Sequence, residues 1–268
     1  MQRGTALFVF LVLALAGTFL AIGVGRAVWP SGEREVSQPQ VRRTYDRAPL
    51  LASLADAGFS LGDPAFVRIF KTEKRLEVWL QPAGEERYRL FRSYDICKYS
   101  GTLGPKLKEG DRQAPEGFYA VSKAQLNPNS RHHLAFNLGF PNEYDRALGR
   151  TGSFLMVHGG CSSAGCYAVT DEKIDEIYAM IEAALDAGQA EVQVQAFPFD
   201  MDRPDLVAGS GGQWSGFWRN LKQGYDLFER DGVPPRAGVC AGRYVFGDEL
   251  DKADCTLVRG WRRTASSS

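Results

Sequence analysis

The chain has 268 residues, 44% of them hydrophobic and 24% charged, a balance that excludes a disordered polymer and supplies the core of one globular domain with additional segments. Its 32 basic residues are matched by 32 acidic ones, so the formal net charge is zero. No nucleic-acid partner is expected, because binding a phosphate backbone requires an excess of Lys and Arg.

At the N-terminus, Arg3 precedes TALFVFLVLALAGTFLAIGVG, which carries no charge before Arg26. This run exceeds the roughly 7–15 residues of a secretory core and approaches the roughly 20 that span a bilayer. Residues 1–26 therefore read as a signal anchor, with a cleaved signal peptide as the alternative, and the rest of the chain is expected in the periplasm or cell envelope, tethered to the membrane through this segment. Residues 27–64 are a polar, Pro-containing linker ending in a short helix, PLLASLADAGF, stopped by Gly58.

Residues 65–200 read as the main domain. FVRIF, the turn KTEK and RLEVWL form a hairpin, and RYRLFRSYDI continues in the same manner. GTLGPKLKEGDRQAPEG is a long surface loop, and FYAVS and HLAFNLGF are strands joined by a second loop, KAQLNPNSRH. GSFLMV is a buried strand that delivers His158. Ile174, Ile177, Tyr178, Ile181 and Leu185 recur at helical spacing behind an N-cap at Thr170 or Asp171, and Gly188 stops the helix. EVQVQAF alternates as a strand with Val192, Val194 and Ala196 inward. Residues 201–268 form a C-terminal extension with a second helix, WSGFWRNLKQGYDLFERDG.

Five cysteines, Cys97, Cys161, Cys166, Cys240 and Cys255, favour disulfides in an oxidising compartment and leave one thiol over. With Cys166 as the free thiol, the other four allow three pairings. The short loop VCAGRYVFGDELDKADC favours Cys240 with Cys255, which leaves Cys97 with Cys161.

Residues 158–166 read HGGCSSAGC. A cysteine attacks a carbonyl as its thiolate and needs a base nearby, and His158 is the histidine closest in sequence. A strand ending at His158, two glycines and a tight loop bring the imidazole and the Cys166 sulfur together. Backbone N–H groups around Gly165, Cys166 and Tyr167 are then candidates for an oxyanion hole. Two other readings compete with this one. A zinc site of His158, Cys161 and Cys166 lacks a CxxC pair and conflicts with an oxidising setting, and the other is a disulfide-bonded turn without chemistry. No metal or cofactor is expected.

HGGCSSAGC resembles the signature of the L,D-transpeptidase catalytic domain family (YkuD-like), and its compact spacing, Cys161 and the continuation GCYAVTD are similar to the YafK-like branch. GPKLKEGDRQAPEGFYAV and LNPNSRHHLAFNLGFPNEYDRALGRTG extend the resemblance over roughly Phe66 to Asp200. The resemblance implies a mostly β domain with peripheral helices (α+β), a β-sandwich or barrel preceded by the N-terminal membrane segment. It implies Cys166 as nucleophile and His158 as acid/base. The implied reaction is a peptidoglycan-modifying acyl transfer through a thioester with the diaminopimelate of a stem peptide, passed on to an amine.

The alternatives are a hydrolase of the same family, which would release a peptide or a wall-attached protein from peptidoglycan, and a non-catalytic wall-binding module. Two positions depart from the family pattern. Ala164 stands where many members place a histidine, and Ala168 where they place an arginine. Substrate contacts are therefore expected from other residues, with Ser163, Gly159, Arg150 and His133 as candidates and Lys106 and Arg112 behind them.

Overall fold

The computed structural model describes residues 45–203, 205, 212–252 and 254–258. The N-terminal apolar run lies outside these residues, and among them no helix is long and apolar enough to cross a membrane.

In chain order the first elements are α1 (Ala48–Asp56), β1 (Ala65–Phe70), β2 (Arg75–Leu80), β3 (Arg89–Asp95), β4 (Lys98–Tyr99), β5 (Gly117–Val121), β6 (Leu126–Ser130) and β7 (His133–Asn137). They are followed by α2 (Glu143–Ala147), β8 (Met156–His158), β9 (Tyr167–Ala168), α3 (Asp171–Asp186), β10 (Val192–Phe197), α4 (Ser215–Asp231), β11 (Ala237–Cys240), β12 (Arg243–Phe246) and β13 (Thr256–Leu257). The fold is mixed α+β, mostly sheets with few helices.

One five-stranded sheet has the order β3-β2-β1-β10-β5. The expected hairpin is its β1–β2 pair, with Val67 opposite Val78, and β10 lies parallel to β1 with Val194 opposite Val67. Alternation puts Val67, Ile69, Leu76, Val78, Val192, Val194 and Ala196 on one face, in the core shared with the second sheet. The opposite face is buried as well. Phe70, Phe118 and Phe197 pack there with Phe217, Trp218 and Tyr225 of α4 and with β11 and β12, and even Arg68 and Gln195 are sealed from water. The helix comes very close, since a Cβ on Gly224 would lie 2.6 Å from Phe118 Cζ and 2.7 Å from Phe246 Cε1.

The second five-stranded sheet, β4-β9-β8-β7-β6, carries the histidine and the cysteines. Here the KAQLNPNSRH stretch, expected as a loop, contains β6, with Leu126 opposite Phe136. Asn and Pro are poor strand formers, so pairing with β7 overrides local preference, and β6 stays an edge strand where Pro128 is tolerated. GSFLMV is only partly the expected strand. Pairing begins at Met156, while Phe154 is 71% exposed in a left-handed conformation, φ 54°. The helix α3 bears out its expected cap, with the Thr170 hydroxyl accepting from Lys173 N–H at 3.4 Å, and it packs on β7 of one sheet and on β1 and β10 of the other.

The Gly101–Gly117 loop is pinned at both ends of its GDRQAPEG segment. Asp111 accepts from Lys106 Nζ at 2.5 Å and from the Leu107 and Lys108 amides, and fully buried Glu116 accepts from Lys71 Nζ at 2.9 Å, Gly104 N–H at 2.8 Å and Trp218 Nε1 at 2.8 Å.

Candidate active site

β8 and β9 are adjacent parallel strands with Val157 beside Tyr167 and His158 beside Ala168. Residues 159–166 join them in a short crossover, far tighter than the dozen or more residues such a connection usually takes. Because side chains alternate, Met156 and His158 share one face of β8, and the parallel register sets Cys166 alongside Met156. All three line a cleft of about 720 Å³ with Ser162, Ser163 and Ala164 of the crossover, Phe154, and Asn127, Asn129, Ser130, Arg131 and His132 from β6 and the β6–β7 turn.

The imidazole is anchored. His158 Nδ1 lies 2.6 Å from the Gly159 carbonyl, so the hydrogen bond assigns the proton to Nδ1 and leaves Nε2 as the basic nitrogen. The ring of His132 stacks on it, centroids 4.6 Å apart. Burial lowers the His158 pKa below its ordinary value, and the neighbouring His132 acts in the same direction. Burial raises the Cys166 thiol, against smaller opposite effects of a Met156 backbone hydrogen bond and the Lys106 charge. Both shifts favour the uncharged forms, thiol and imidazole. The thiol contacts the Phe154 carbonyl at 3.6 Å.

Cys97–Cys161 and Cys240–Cys255 are disulfides and Cys166 is the free cysteine. The first ties the crossover to the segment leading into β4. Labelling the oxidised protein with a maleimide before any reduction is expected to modify Cys166 alone, as read by peptide mapping. Label on Cys161 or Cys255 would remove the corresponding bond.

Several expected site residues stand elsewhere or in other roles. The Gly165 and Cys166 amides, expected to face a substrate oxyanion, donate to Ser163 Oγ at 3.3 and 3.1 Å. Ser163 in turn donates to the Cys166 carbonyl at 2.7 Å and accepts from Ser100 Oγ, so it is the hub of the turn presenting the thiol. Tyr167 is fully buried, its hydroxyl donating to the Pro115 carbonyl at 2.6 Å. Gly159 is buried against the β6–β7 turn rather than open to a ligand, and a Cβ there would meet Asp171 Oδ1 at 2.5 Å and the His132 carbonyl at 3.0 Å.

His133 does not line the cleft. Its Nε2 pairs with Asp175 of α3 at 2.7 Å, and its neighbour His132 faces the site instead. Arg150 is buried against Asp145 at 2.8 Å, and Lys106 is committed to Asp111. Sequence reasoning missed His132, Arg131, Phe154 and the two asparagines of β6. The His132–His133 doublet was visible, but choosing between its members required knowing where the β6–β7 pairing ends.

A sequence model of the L,D-transpeptidase catalytic domain (YkuD) matches residues 65–194. Over 190 residues the chain is 47% identical to the Escherichia coli K12 protein named "Putative L,D-transpeptidase YafK", covering 71% of this chain and 76% of that protein. Among solved structures, the helical cell shape determining protein Pgp2 from Campylobacter jejuni is 18% identical over 69% of this chain and 78% of its own, with a TM-score of 0.40. Bd1075 of Bdellovibrio bacteriovorus is 22% identical over 62% of each chain, with a TM-score of 0.34. The extent and identity of the YafK match, with the catalytic-domain match lying inside the same fold, place this chain in the L,D-transpeptidase (YkuD) family.

Proposed function

We propose that the protein is a peptidoglycan L,D-transpeptidase working through a Cys166 thioester. The observation that carries this reading is the joint placement of the one unpaired cysteine and an imidazole of fixed tautomer in a single cleft. In this mechanism the Cys166 sulfur attacks the carbonyl of a stem-peptide diaminopimelate as His158 Nε2 takes the thiol proton. The tetrahedral intermediate collapses to the thioester, and the imidazolium returns the proton to the departing amine. The amine of a second stem peptide then attacks the thioester carbonyl, gives its proton to His158 and regenerates the thiolate, which recovers that proton. Because Ser163 holds the amides of Gly165 and Cys166 at rest, substrate binding displaces its hydroxyl or uses it as the oxyanion donor.

The two disulfides support export to an oxidising compartment such as the periplasm, and the apolar run within residues 1–26 supports anchoring in the membrane. Incubation of the protein with purified sacculi, followed by muropeptide analysis, tests the reading. New cross-links between diaminopimelate residues are the expected product, with the thioester visible as added mass on the intact protein. Trimmed or detached peptides without new cross-links identify water as the acceptor and a hydrolase. No product at all from folded protein leaves only wall binding.

A further inference from the structure

The two walls of the cleft differ in chemistry. Phe154 and Met156 make one side apolar, whereas the other is built from the amides Asn127 and Asn129, the Ser130 hydroxyl, Arg131 and His132. Among the described residues, Arg131 is the only Lys or Arg lining the cleft, and no Asp or Glu lines it. Of the cations that the sequence put forward near the site, Lys106 is neutralised by Asp111 and Arg150 by Asp145, and Arg112 does not line the cleft, while no described carboxylate pairs with Arg131. An exposed arginine on the wall of a cleft without acids can offer an anion a fork of donors.

Its position is fixed by the fold. β6 and β7 close at Ser130 opposite His133, which leaves Arg131 and His132 as the tip of the turn. The His132 amide donates to Ser130 Oγ at 3.0 Å, and the His132 ring and carbonyl lie against Gly160 and Gly159. The tip is thus braced on the same crossover that presents Cys166, and the stacked His132–His158 rings set Arg131 one residue from the base.

We propose that Arg131 binds a free carboxylate of the substrate peptide and so fixes which carbonyl is held before Cys166. This rests on the peptidoglycan reading above, because a stem peptide offers two such groups close to the reacting bond, the C-terminal carboxylate and the carboxylate at the far centre of diaminopimelate. Asn127 and Asn129 supply neutral donors along the same wall.

The test measures binding in protein that cannot turn over. Cys166→Ala and Cys166→Ala/Arg131→Gln are titrated with three disaccharide tetrapeptides: the free acid, the C-terminal amide, and the peptide amidated at the diaminopimelate carboxyl. Arg131→Gln is expected to weaken the free acid by about tenfold to a hundredfold, the loss of one charge-assisted contact. It should cost nothing further on the amide that lacks its partner, which names the carboxylate, and Arg131→Lys should recover part of the loss. Equal weakening on all three peptides, or none on the free acid, overturns the assignment. Wild-type protein that discriminates the amides in this way yet never turns over the free acid would sink the enzymatic reading while leaving the carboxylate site standing.

Discussion

Cys166→Ala is expected to lower turnover of sacculi by at least about a thousandfold, and His158→Ala by a similar factor, because a nucleophile and its base act as a unit and neither loss is made up by the other. Thermal unfolding should move by only a few degrees in Cys166→Ala, since the residue sits at a loop end on the cleft. The pH profile of the unaltered protein gives a second reading of the pair. Burial lowers the His158 pKa, so the base is competent above a value under the ordinary 6.5, and activity should disappear only as pH falls through that lower value. Burial raises the Cys166 thiol above its ordinary 9.0, so iodoacetamide alkylation should climb on the alkaline side of neutrality. An acid limb above 6.5, or a thiol fully ionised at neutral pH, would show a preformed thiolate–imidazolium pair instead.

Glu116→Ala should cost about 3–5 kcal/mol in urea unfolding, the typical effect of stranding one member of a buried ion pair. Both Lys71 and Glu116 are fully buried, and Glu116 also takes the Gly104 amide and the Trp218 indole, so the substitution leaves an uncompensated ammonium and two orphaned donors. Desolvation already lowers the Lys71 pKa with Glu116 in place. The double variant Lys71→Met/Glu116→Leu should therefore recover much of the loss. A Glu116→Ala cost below about 1 kcal/mol would mean that water reaches the pair.

Local pattern was sufficient for the elements that stand largely alone. The β1–β2 hairpin, β10 and α3 each carry a clean period, and α3 carries its cap. β6 was not legible because Leu126–Ser130 has no strand propensity and becomes a strand only through β7. The GDRQAPEG segment carries a family likeness in sequence, but its physical content appears only in three dimensions, where Asp111 folds the loop on itself and Glu116 reaches Lys71 and Trp218, 45 and 102 residues away in sequence. The thiol and imidazole were legible because nine residues hold both. Arg131 and His132 were not, since they come from another strand pair and enter the cleft by register.

Gly159 owes its place to packing rather than to chemistry. Directly after the histidine it looks like part of the reaction chemistry, yet what crowds a side chain there is the His132 carbonyl 3.0 Å from where a Cβ would sit, with the Asp171 carboxylate closer still. A relative that had lost its nucleophile would still keep this glycine for as long as it kept the turn above it. The His-Gly-Gly triplet is thus the mark of a mould, and the thiol at position 166 is a separate matter.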